Sequence, residues 1–282
     1  MQAPRLPSHP RVSLPCAAAL LGTLSLATVP ARVAAQVLAQ ALPSQYDIEV
    51  QPGHRESHPL FLHNRGRERV KVRMRLADLR MSERGALTLV PPGTLASTLA
   101  RHLKLEPGEL SLEPGERRVV SLEVTSPAGG PATRYGVILS RVTPDSAAGA
   151  PASLTELGTT LFLTRAPRSS IRTELVGVAT RVDSRGGMAV EVRVRNLSER
   201  HAPCSGEVKV SDSRGEPVIS GFLADGVLLP KMVRIFGWKA DRPLAPGRYT
   251  VTVSVDAGEP ALLVGQKEIV VSSRSPNAAR NE

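Results

Sequence analysis

Apolar and polar side chains alternate strictly in many short stretches of this chain. In one of them Val70, Val72, Met74 and Leu76 fall on one face of an extended segment, and Arg69, Lys71, Arg73 and Arg75 on the other. Successive strand side chains point to opposite faces, whereas a helix would mix the two sets. Residues 46–50, 119–124, 135–139, 157–163, 190–194, 208–210 and 249–255 read the same way. Turn dipeptides separate them at Pro52-Gly53, Arg65-Gly66, Pro107-Gly108, Pro114-Gly115, Gly186-Gly187, Arg214-Gly215 and Pro246-Gly247. Short strands at this spacing predict sandwiches or barrels. Leu95, Leu99 and Leu103, four apart, are the one helical spacing, enough for one or two turns.

The pattern also repeats. Leu60, Leu62, Asn64, Val70, Val72 and Asp78 are echoed by Val192, Val194, Asn196, Val208, Val210 and Asp212. In each half an apolar strand ends on Asn, a polar turn follows, and a second strand runs to Asp, which argues for two domains of one design. Pro167 cannot donate a ladder hydrogen bond and marks the boundary. The expected fold is therefore all-β, two immunoglobulin-like β-sandwiches in tandem over residues 42–166 and 167–271, with a disordered tail at 272–282, where Ser, Pro, Asn and Arg leave almost nothing apolar.

The first 41 residues read as a signal peptide. Arg5 and Arg11 supply a basic start, residues 14–29 are an apolar run, and small-residue triplets follow at Val33-Ala34-Ala35 and Ala39-Gln40-Ala41. Cys16 lies near the start of the apolar run rather than just after it, which disfavours an acyl anchor. Beyond this segment no stretch approaches the ~18 apolar residues of a membrane helix. The expected location is periplasmic or secreted.

Aromatic residues make up only 3%, so the cores must be built from Val, Leu and Ile. Loss of Arg5, Arg11 and Arg32 with the signal takes the formal charge from +10 to +7. Export and the shortage of stacking aromatics argue against a nucleic-acid partner. Cys204 would then be the one remaining cysteine, leaving no internal disulfide. With His201 three residues before it, it is a candidate reactive thiol, although lone cysteines are commonly inert core residues.

The residues offer no catalytic centre. There is no Gly-x-Ser-x-Gly elbow and no glycine-rich phosphate loop. His54, His58 and His63 cluster, yet residues four apart on a strand lie about 13 Å from each other, too far to share a metal. A non-enzymatic protein without cofactor or metal is expected. Two binding surfaces stand out. The cations Arg69, Lys71, Arg73 and Arg75, preceded by Arg65 and Arg67, form a stripe suited to acidic polysaccharide, lipid phosphate or an acidic protein. The last strand of the first domain offers an exposed edge to a partner's strand, with Leu157, Leu161 and Leu163 giving side-chain specificity.

The first half resembles the N-terminal domain of periplasmic pilus-assembly chaperones and their wider relatives, over roughly residues 45–167. The resemblance is carried by the opening strand at 46–52, the strand pair at 60–64 and 70–78, the segment Leu112-Glu113-Pro114-Gly115-Glu116-Arg117 leading to Val124, and Arg134-Tyr135-Gly136-Val137-Ile138. In the second half, Leu244-Ala245-Pro246-Gly247-Arg248-Tyr249-Thr250 is a common lead-in to a late strand of bacterial immunoglobulin-like domains. The resemblance implies an exported or surface protein subunit as partner, capped by strand pairing. It also implies that an Arg of the first strand and a Lys of the last hold the subunit's terminal carboxylate. Here residues 159–165 carry Leu or Phe where that Lys is expected, and the nearest first-strand cation, Arg55, follows the Pro-Gly turn.

Overall fold

The computed structural model describes residues 39–145 and 155–272. The first sandwich contains β1 (Ala39–Leu42), β2 (Gln45–Val50), β3 (Arg55–Asn64), β4 (Val70–Met81), β5 (Leu87–Val90), β6 (Leu103–Glu106), β7 (Glu109–Leu112), β8 (Arg117–Thr125), β9 (Thr133–Pro144) and β10 (Thr155–Arg165). One sheet has the order β1-β3-β8-β6, and the other β2-β10-β9-β4-β5, with β7 also on β4. The second sandwich contains β11 (Thr173–Val182), β12 (Met188–Asn196), β13 (Ala202–Asp212), β14 (Pro217–Leu228), β15 (Val233–Lys239), β16 (Gly247–Asp256) and β17 (Leu263–Val271). Its sheets are β11-β12-β15 and β14-β13-β16-β17.

Alternation selects the cores. Leu60, Leu62, Val120, Leu122 and Val124 from one sheet meet Val70, Val72, Ile138, Val142, Leu161 and Leu163 from the other, all nearly inaccessible to solvent. Val190, Val192, Val194, Val208, Val210, Val251, Val253 and Val255 do the same in the second sandwich. Each fully buried side chain of this size contributes about 1.5–3 kcal/mol.

The repeated Asn has a physical role in both halves. Asn64 is fully buried. Its Nδ2 donates to the carbonyls of Glu68 (2.8 Å) and Leu112 (3.0 Å), and its Oδ1 accepts from the Gly66 N–H (2.9 Å). Asn196, also fully buried, donates to the carbonyls of Arg200, Leu228 and Leu229 and accepts from Ser198. Each amide ties the turn after its strand to a distant strand end, a task an apolar side chain cannot perform. The repeated Asp diverges. Asp212 caps a hairpin turn through the Arg214 and Glu216 N–H groups, whereas Asp78 is buried and accepts from Leu95 N (2.8 Å) and Thr98 Oγ1 (2.6 Å).

Asp78 explains one correction. The spacing of Leu95, Leu99 and Leu103 forms no helix, because the segment is folded into turns around this carboxylate and Leu103 opens β6. The N-terminus bears on the choice between the two small-residue triplets. Most of the segment read as a signal peptide lies outside the described residues, but Ala39–Leu42 is strand β1, paired with residues 61–64, and Ala39 is buried in the core. A signal ending at residue 41 would remove that strand, whereas the triplet ending at Ala35 leaves it intact. The tail from 273 onward lies outside the described residues.

Candidate functional site

β10 is the strand singled out for partner binding, and only part of it has a free side. Along its whole length it pairs antiparallel with β9. On the other side Thr160–Arg165 pairs in parallel with Gln45–Val50 of β2, a strand whose chain has just crossed from the opposite sheet after β1. The expected free edge is thus closed over half the strand, because the N-terminal segment returns to fill it. Leu161 and Leu163, expected to contact a partner, are buried in the sandwich core, with 0% and 2% exposure. Leu157 is only partly buried at the rim of that core.

Thr155–Thr159 remains open. The Thr160 N–H points to Ser44 on the β2 side (2.9 Å) and the Arg165 N–H to Ala132 on the β9 side (2.8 Å). Backbone direction alternates along a strand, so the N–H and C=O of Glu156 and Gly158 face the open side. No strand among the described residues pairs with them there. Gly158 was not foreseen as a functional position; an exposed glycine breaking the run between Leu157 and Thr159 is the signal that could have shown it.

The basic stripe is closely matched by acids. Lys71 Nζ and Arg73 Nε bind the two oxygens of Glu109 at 2.6 and 2.7 Å, Arg69 lies 3.3 Å from Glu113 and 3.5 Å from Asp145, and Arg75 lies 3.1 Å from Glu156. The register of β7 against β4 places Glu109 among the cations, while Asp145 follows β9 and Glu156 comes from β10. Hydrogen bonds from Lys71 and Arg73 hold the Glu109 carboxyl below its ordinary range. A stripe neutralised in this way offers little net field to an acidic polymer, which corrects the picture of a bare cationic face.

Where β10 ends, the two sandwiches touch. His201, from the loop between β12 and β13, stacks on Phe162 with ring centroids 4.1 Å apart, and its Nε2 lies 3.4 Å from Asp47 Oδ2. Arg168 binds Asp47 at 2.9 Å and Glu49 at 3.0 Å. Burial alone would raise the Asp47 carboxyl, but the hydrogen bond from His201 and the charges of His201, Arg168 and Arg200 together hold it low. The turn between β4 and β5 makes a second contact, through Glu83 O accepting from Ile235 N (2.7 Å) and Arg84 binding Glu191 (2.9 Å). A cleft of 460 Å³ between the sandwiches is lined by Leu79, Met81, Leu95, Tyr135, Leu229 and Met232, with Lys231 and Glu199 at its margin. The anchor implied by the resemblance is missing, since Gln45–Val50 contains no cation and the only one in β10 is Arg165, whose guanidinium reaches the carbonyls of Ala128 and Gly130.

The other candidates are quiet. Cys204 is buried in the second core, and burial pushes its thiol up to about 12, so it is neither a thiolate nor accessible at neutral pH. His58 lies 3.3 Å from Glu56, His54 bonds the Pro52 carbonyl, and no metal-binding group of three residues occurs among the described residues.

No family model matches the chain, and no curated protein does. Among solved structures, the chain is similar to the YadV chaperone at 11% identity over 82% of this chain and 100% of that one (TM-score 0.45). It is also similar to a chaperone–tip adhesion subunit pre-assembly complex, CsuC-CsuE, from the archaic chaperone-usher Csu pili of Acinetobacter baumannii, at 14% identity over 70% and 89% (TM-score 0.42). A third is the E. coli chaperone DraB, at 12% identity over 83% and 98% (TM-score 0.42).

Proposed function

We propose that this is a non-enzymatic, exported, chaperone-like protein whose first sandwich receives an extended segment of another exported or surface polypeptide along Thr155–Thr159 of β10. The observation that carries the reading is the half-covered strand: β2 satisfies β10 from Thr160 onward, and the next outward backbone groups, those of Gly158 and Glu156, pair with no strand among the described residues. An added strand would continue the sheet in line with β2, and the rim residue Leu157 would rest against its side chains. The sequence motifs shared with pilus-assembly chaperones, and an N-terminal segment patterned for export, support the same reading. Without the Arg and Lys anchor, affinity would rest on main-chain bonds and apolar contacts.

The test is Gly158→Pro. Proline removes the one outward N–H at that position without touching the bonds to β9, and edge positions tolerate it. With a photo-crosslinking residue at Glu156, the mature protein in its own envelope extract should label one discrete polypeptide, and Gly158→Pro should abolish the label while leaving the melting temperature within a few degrees. Equal labelling by a folded Gly158→Pro variant would overturn the proposal.

A further inference from the structure

The second sandwich carries an exposed apolar groove on the outer face of the β14-β13-β16-β17 sheet. Phe222 of β14 is 81% exposed, and Leu262 and Val264, leading into and within β17, are each 58% exposed. Register places Phe222 opposite Glu207 of β13, Glu207 opposite Ser254 of β16, and Ser254 opposite Val264. This row crosses all four strands, about 14 Å at the usual strand spacing, with an apolar side chain at each end. Beside it lies a groove of 590 Å³ lined by Ser205, Glu207, Phe222, Asp225, Asp256 and Leu262.

The charges within the groove select its occupant. In a chain of net charge +10, where Glu109, Glu116 and Glu191 each hold an Arg or Lys, neither Glu207, Asp225 nor Asp256 forms an ion pair among the described residues. The Asp256 carboxylate accepts from the Gly258 N–H. Lys209, two residues beyond Glu207 on the same exposed face, is not paired with it. Three unpaired carboxylates between apolar walls complement a cation flanked by apolar groups, and they repel acidic ligands.

We propose that this groove docks an extended segment of a partner polypeptide presenting Lys or Arg beside bulky apolar side chains, at a site separate from β10. The walls bury the apolar residues, and Glu207, Asp225 and Asp256 receive the cation.

The test uses the full mature protein and fluorescein-labelled synthetic peptides with a Leu-Lys-Phe-Lys core, a charge-reversed Leu-Glu-Phe-Glu core, or an apolar-free Ser-Lys-Ser-Lys core, read by anisotropy. The first should bind at least tenfold more tightly than the others. Phe222→Ser, and independently Glu207→Gln with Asp225→Asn, should weaken it at least tenfold with melting unchanged, while Gly158→Pro should leave it intact. Should Phe222→Ser fail to fold, the carboxylate pair alone decides. Absence of binding by the first peptide, equal binding of all three, or equal binding by the folded variants would overturn the proposal. So would concentration-dependent self-association that Phe222→Ser abolishes, which would assign the groove to a second copy of the chain.

Discussion

Asn196→Ala tests whether the repeated buried amide holds the second sandwich together. The side chain makes four hydrogen bonds: Nδ2 to the carbonyls of Arg200 (2.8 Å), Leu228 (3.0 Å) and Leu229 (3.2 Å), and Oδ1 from Ser198 N (2.8 Å). The Leu229 carbonyl keeps a second donor in Met232 N, so three groups lose this partner without that compensation. At about 1 kcal/mol net each, the loss is about 3 kcal/mol. For a domain of this size that corresponds to a fall of roughly 12–24 °C in melting temperature. Trp238, the only tryptophan, packs against the second core and reports its unfolding by fluorescence. Asn196→Asp separates bonding from packing, because it keeps the shape and Oδ1 but turns a second oxygen toward three carbonyls. It should be at least as damaging as alanine at neutral pH. A fall below about 4 °C for Asn196→Ala, or a milder effect of Asn196→Asp, would refute the reasoning.

Other outcomes follow from the same geometry. The mature N-terminus should be Gln36, as determined by intact mass; a start at Leu42, which would delete β1, would contradict the role given to Ala39. Cys204 should resist Ellman's reagent in the native protein at pH 8 and react fully in urea; rapid native labelling would contradict its burial. Asp47 has a folded carboxyl below its ordinary value of 3.8, so its contribution is present above that value and lost as pH falls through the folded one. Thermal melts should therefore lose stability below about pH 4 more steeply in the wild type than in Asp47→Asn, and parallel profiles would sink the claim.

Strand alternation was enough to identify most of both cores. Val70, Val72 and Met74, or Val251, Val253 and Val255, are buried where the period of two places them. Local pattern failed where distant chain decides the environment. Leu161, Phe162 and Leu163 are consecutive and all buried, because the outer side chain of Phe162 is covered by His201 of the second sandwich. The closure of half of β10 by β2 depends on a pairing more than a hundred residues apart, which no window along the chain contains. The cations of β4 were visible in the sequence, but their partners were not, since Glu109 meets Lys71 and Arg73 only through the register of β7. The unpaired acids around Phe222 were invisible for the same reason.

The crossing of the chain from β1 to β2 also orders the making of the molecule. β1 can pair with β3 as soon as about 65 residues exist, but β2 finds its neighbour only when β10 has been synthesised, some 100 residues later. Until then the apolar side chains of Ile48 and Val50 have no sheet to join, and β9 presents a vacant flank. An emerging chain is therefore at its most adhesive just before Thr155–Arg165 arrives, and the arrival of that strand ends the exposure.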